Sequence, residues 1–242
     1  MLLVGCGGSR GVTLTARARA AASVLAQRAQ NVPRDRALGT MALLRPSDFP
    51  SGWTPEPTRG NSAGPLGLQV SIAKCLHANL SLVKESQQPA GVESPAYSDS
   101  SGTKISDSIT FQEYSSIAKK WFEMFDSPQT PACLNAAVAS GLKYVISHPV
   151  TPGDALPSGT TIETSSVARM SLPPSADQSI AYRVVLPMTA QGVGFRVYAD
   201  FVALRKGRAE VAMSFENTII AGDIQAEERL VALTVHRLRG AG

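Results

Sequence analysis

Three cysteines, three histidines and two aspartates inside apolar strand patterns hold most of the chemistry this chain can offer. Cys75 and Cys133 each fall on the apolar side of a predicted helix. In an oxidising compartment such a pair reads as a disulfide, and in a reducing one as two core thiols. Closing a loop of 58 residues (133 − 75) stabilises a fold by about 4 kcal/mol through chain entropy. Zinc would need close pairs of the C-x₂₋₄-C or H-x₃₋₅-H type. Cys75, His77, Cys133 and His148 do not supply them, and residues two apart on a helix face different ways, so no metal and no cofactor is expected.

Asp107 and Asp200 interrupt apolar strand rows, where burial would raise a carboxyl pKa and suit acid–base work. The plainer expectation is a strand edge or a solvent-facing position. Ala139-Ser140-Gly141 lacks the first glycine of a nucleophile elbow and sits within a predicted helix. No catalytic constellation emerges, which points away from an enzyme. Trp53, Trp121, Phe122, Phe195, Phe201 and Phe215 are the candidate lining of an apolar ligand pocket, or else an ordinary core.

The elements that must position these residues follow from periodicity. Leu68, Ile72, Cys75, Leu76 and Leu80 are spaced for a helix, and Ile105, Ile109 and Phe111 alternate as a half-buried strand. Ile117, Ala118, Trp121, Phe122 and Phe125 make a helical stripe. A second helix starts at Thr130-Pro131, with Cys133, Leu134, Ala137, Val138, Leu142 and Val145 inward. Four alternating segments then follow, over 162–172, 180–186, 193–204 and 209–220, with a tight turn at Lys206-Gly207. Asp223 caps a last helix that packs through Leu230, Val231, Thr234, Val235 and Leu238. The prediction is an α+β domain: an antiparallel sheet with helices packed on it, its C-terminal four-strand meander followed by one helix.

Charge divides the 242 residues unevenly. Residues 1–48 carry seven arginines against Asp35 and Asp48, a net of +5, while the remainder sums to −1. The arm lacks aromatics for base stacking, so no nucleic acid partner is expected. Residues 7–40 read as a basic Ala/Arg-rich tether, with residues 41–242 forming the α+β domain.

The N-terminus gives an address. Met1-Leu2-Leu3-Val4-Gly5-Cys6, followed by Gly7-Gly8-Ser9, resembles the lipobox of bacterial lipoproteins, with residues 1–6 as the end of a truncated signal. That resemblance implies lipidation of Cys6, a membrane partner through the anchor, and a place on the extracytoplasmic face of the cell membrane. One lipidated cysteine would leave Cys75 and Cys133 to pair with each other. Val4 to Gly11 also resembles the glycine-rich loop of short-chain dehydrogenases. Thr13 stands where the last glycine is needed, and the strand–helix alternation of a parallel sheet is missing.

The Asp48–Trp53 turn, a cysteine on an early helix and another after a strand–helix unit come before the long meander and its final helix. Together these features resemble the sensor-type and PsbP-like extracytoplasmic domains of actinobacterial lipoproteins. The resemblance implies binding of an apolar ligand or an envelope partner protein. A hydrolase with its site under the Trp53 loop and a structural interaction module are the alternatives.

Overall fold

The computed structural model describes residues 31–56, 64–80, 91–147, 159–172, 175–217 and 221–239, with backbone alone for 64–69 and 142–147. Cys6, residues 7–30 of the expected tether, and His148 lie outside the described residues.

The architecture is α+β, built on a nine-stranded antiparallel sheet. In chain order the elements are helix α1 (31–42), β1 (Thr54–Pro55), α2 (Gly64–Cys75), β2 (Val92–Glu93), β3 (Tyr97–Ser98) and β4 (Lys104–Phe111). Helices α3 (Ser115–Phe125) and α4 (Thr130–Ser147) follow. Then come β5 (Thr161–Ile162), β6 (Ser166–Met170), β7 (Gln178–Ala190), β8 (Val193–Lys206), β9 (Ala209–Asn217) and α5 (Ile224–Arg237). The sheet runs β1-β3-β4-β9-β8-β7-β5, with β2 also on β4 and β6 also on β7. The meander is β6 to β9. Its long hairpin turns at Gln191-Gly192, both at positive φ, as a two-residue hairpin turn requires.

Alternation along the strands gives the sheet two different faces, each with its own core. On one face Ile105, Ile109, Phe111, Val211, Met213, Phe215, Val202 and Leu204 meet Leu230, Val231, Val235 and Leu238 of α5 and the Ala42–Leu44 end of α1. On the other, Ile180, Tyr182, Val184, Leu186 and Ala199 meet Ile72 of α2, Trp121, Phe122 and Phe125 of α3, and Cys133, Leu134 and Ala137 of α4. The result is a sheet between two helical layers. No described helix is long and apolar enough to cross a membrane.

Two expectations are corrected. The packed domain extends at least to residue 31, because part of the predicted tether is helix α1, and that helix is docked. Val32 and Leu38 pack on the core, and buried Asp35 takes Arg208 in a two-pronged pair at 2.8 and 3.1 Å. Gly39 allows the close approach: a Cβ there would stand 2.6 Å from Val92 Cγ2. The docking of α1 depends on distant partners, Arg208 and Val92, that local composition does not reveal. The second correction concerns Cys75, which is exposed, whereas Cys133 is buried. Their sulfurs are bonded, with Cα atoms 5.6 Å apart, tying the end of α2 to the start of α4.

Candidate functional site

The six aromatics do not line one cavity. Trp53 packs half-buried at the edge of the α1/α5-side core, and Phe215 lies fully inside that core. Trp121, Phe122 and Phe201 belong to the opposite core. A sheet separates the two sets, so the side chains that looked alike in sequence are parted by strand parity. Phe195 belongs to neither core and lies near the tip of the β7–β8 hairpin. Beneath the Trp53 loop the space is filled: Trp53 stacks on Phe49 with ring centroids 4.9 Å apart, and Phe49 meets Tyr97 at 4.6 Å.

Both aspartates are buried, contrary to the plainer expectation, and both are committed to partners. Asp107 points into the α1/α5-side core within the row Ile105, Asp107, Ile109, Phe111. It accepts the Leu44 backbone N–H at 3.2 Å, just beyond the end of α1. Burial lifts its pKa to about 6, opposed by a Ser94 hydrogen bond and the Leu44 N–H. Nearby, Arg237 clamps Asp48 at 2.6 and 2.8 Å and also donates to the Leu43 carbonyl. Arg237 thus ties α5 to the turn after α1.

Asp200 forms the centre of a second cluster. Arg183, its cross-strand partner, donates to it through Nε at 2.8 Å and through a terminal nitrogen at 2.5 Å. Over the pair lies Glu227, buried, in the first turn of α5, with an oxygen 3.9 Å from Arg183. Burial raises the Glu227 pKa first, and the Asp200 carboxylate raises it further, with Arg183 opposing. Neither Glu227 oxygen has a hydrogen-bond partner among the described residues. A carboxyl held neutral there shares a proton-rich site with Asp200, the arrangement two crowded carboxylates adopt.

Sequence reading passed over Glu227, although residues 227, 230, 231 and 234 recur at helical spacing, which puts Glu227 on the packing stripe. The Asp223 cap was legible, and its carboxylate accepts the N–H groups of Gln225 and Ala226 at 3.0 and 3.4 Å.

Beyond Glu227 the described helices no longer cover this face. Below the Arg183/Asp200 pair come Val185/Tyr198, Pro187/Arg196 and Thr189/Gly194, each cross-strand neighbours on the same side. All six of these residues are half-buried or exposed, whereas Val184, Leu186 and Met188, which point the other way, are buried. An open groove of about 490 Å³ lies here, lined by Glu163, Pro187, Met188, Gly194, Phe195, Arg196 and Tyr198. Sequence reasoning found Phe195 and missed the rest, because an interrupted strand row gives no sign of what covers it.

Among the described residues no group of acids, histidines and cysteines is placed to hold a metal. His77 and His236 are both exposed. No family model matches the chain, and no curated protein matches it. Among solved structures, the extracellular domain of PknH from Mycobacterium tuberculosis is similar at 10% identity and a TM-score of 0.47, covering 83% of this chain and 95% of that one. At that level the likeness assigns neither an activity nor residues.

Proposed function

We propose that this chain is a lipid-anchored domain on the extracytoplasmic face of the cell membrane, attached through Cys6, which binds a ligand or partner rather than turning over a substrate. The Cys75–Cys133 bond carries the reading of compartment. One of its two residues is exposed, and an accessible disulfide persists where the surroundings are oxidising, not where thiol reductants equilibrate with it. The β7–β8 surface that no described helix covers supports binding, since a rigid two-strand platform presents side chains without needing a moving part.

The hydrolase alternative finds less support. Phe49 and Tyr97 occupy the space under the Trp53 loop, and Asp107 and Asp200 are engaged by a backbone N–H and an arginine. Neither acid is paired with a histidine among the described residues.

The test is metabolic labelling with an alkyne palmitate in a bacterial host, using the gene with its upstream in-frame DNA. Label on the wild-type chain and none on Cys6→Ser supports the anchor. Equal label on both forms removes it. Alkylation of intact cells before non-reducing electrophoresis reads the second part. A chain whose Cys75 and Cys133 are fully alkylated without reductant contradicts the proposed compartment.

A further inference from the structure

Helix α1 is the described element that leads out of the packed domain toward the N-terminal arm, and the backbone at its C-terminal end rests on a buried carboxyl. Three distant groups hold it there. Asp107 accepts the Leu44 N–H at 3.2 Å, Tyr97 donates its hydroxyl to the Leu44 carbonyl at 3.1 Å, and Arg237 donates to the Leu43 carbonyl at 3.0 Å. Farther back along the helix, the Asp35–Arg208 pair and the close pass of Gly39 over Val92 complete the seat.

The charges in this seat do not balance. Arg237 of α5 is the cation that faces Asp107, and both of its terminal nitrogens are already on Asp48. The other neighbours bring no positive charge: the Ser94 hydroxyl before β3, the Tyr97 phenol on β3, Asp48 in the turn after α1, and Met213 across the ladder on β9. Burial, together with the charges of Asp107 and Asp48, pushes the Tyr97 phenol up, so it stays a donor at neutral pH. Two carboxyls therefore share one guanidinium in a space closed by the backbone of residues 43–44. Asp107 is the one left without an ion pair, and a buried acid in that position is held more readily with its proton than without it.

Lifting α1 lets water reach Asp107, whose pKa then returns from about 6 to the 3.8 of an ordinary aspartate. The seated value is the higher one, so seating takes up a proton. The advantage is complete below about 3.8 and is lost as pH rises through about 6.

We infer that α1 is a proton-dependent clasp: acid seats its C-terminal end on Asp107, and rising pH frees it while the sheet stays folded. A helix this short is marginal without its contacts. Freed, residues 31–42 span up to about 40 Å as extended chain, against about 18 Å as helix. The clasp thus sets how far the domain stands from whatever holds its N-terminal arm. It goes beyond the binding-domain reading and does not rest on the lipid, since labelling of Cys6 can succeed or fail whatever α1 does.

Amide hydrogen exchange on the whole chain, corrected for the intrinsic rate at each pH, reads this opening. Protection at residues 38–44 should fall about tenfold between about pH 5 and about pH 8, and at every pH should lie below that of β8 residues 199–204. Glu210 and Glu227 stay covered when α1 alone lifts, so their titration does not enter this change. Asp107→Asn keeps the shape and loses the titration, and should hold α1 protection within about twofold over the same interval. Carboxyl-carbon titration of the wild type needs no variant, so it decides the matter if Asp107→Asn fails to fold. Asp107 should have its midpoint at about 6, and the Leu44 amide proton should move with the same midpoint. Protection of α1 that equals that of β8, that is flat with pH, or that falls equally in Asp107→Asn overturns the inference. A Leu44 amide indifferent to the titration of Asp107 does so too.

Discussion

Glu210→Gln should flatten the loss of stability that this protein suffers as pH rises. Glu210 is buried on β9 and accepts one hydrogen bond, from Gln112 Nε2 at 3.0 Å. Gln112 Oε1 and Glu210 Oε1 are both buried without partners. While Glu210 is ionised, both of those oxygens are acceptors only; a proton on the acid supplies a donor. Burial accordingly pushes its pKa up from 4.5 to about 8, with the Gln112 bond opposing. Because the folded value lies above the unfolded one, the native state holds a proton that the unfolded chain has released. Stability is therefore fully present below about 4.5 and falls as pH climbs through about 8.

The slope is about 1.4 kcal/mol per pH unit for one proton, so the interval from about pH 5 to about pH 8 removes on the order of 4 kcal/mol. Glutamine at 210 keeps the shape and supplies the donor permanently. Urea unfolding at several pH values is the assay. The variant should match the wild type within about 1 kcal/mol near pH 5 and exceed it by roughly 3 kcal/mol near pH 8. Glu227 and Asp107 titrate in the same direction in both proteins and cancel in the difference. Two parallel stability–pH curves would refute the argument, because they would mean that Glu210 is ionised at no cost in the native state.

Cys75→Ala with Cys133→Ala should lower stability by about 4 kcal/mol, read by denaturant midpoint at constant slope, since the bond closes a 58-residue separation. Gly39→Leu should cost about 1–3 kcal/mol by thermal unfolding, because its Cβ alone would press within 2.6 Å of Val92; a neutral result would mean that α1 is not docked on β2. Asp48→Asn should cost about 1–3 kcal/mol near neutral pH by removing the charge that Arg237 grips. Asp48 titrates below its usual value, its Arg237 and Arg45 bonds outweighing burial, so the wild-type advantage should vanish on acidification through its folded pKa. Arg183→Met should destabilise by about 3–5 kcal/mol in the same assay, leaving buried Asp200 uncompensated, and less in the Asp200→Asn background.

Local rules made the element list legible. The stripe Ile117, Ala118, Trp121, Phe122, Phe125 gave α3 and its buried side. The alternation through Ile105, Ile109 and Phe111 gave β4, and Asp223 gave the start of α5 to the residue. Such signals depend on neighbours three or four apart in a helix or two apart in a strand, and a sequence displays those directly. The four consecutive segments gave the meander because short connections leave adjacent strands little choice but to pair.

What the sequence could not determine was which face each residue served. A strand's period tells that Phe201 and Phe215 are inward, but both sides of this sheet are inward, so one lies against α3 and the other under α5. Asp107, Asp200, Glu210 and Glu227 look like solvent-facing interruptions until residues 13 to 98 positions away supply Ser94, Arg183, Gln112 and the helix that covers them. Burial of a charge is decided by such distant partners, because desolvation is tolerable only where they are already in place. The same reason hid the groove. Gly194, Arg196 and Tyr198 alternate in plain view, and only the tertiary structure shows that α5 begins beside Asp200 and that no described helix extends over them.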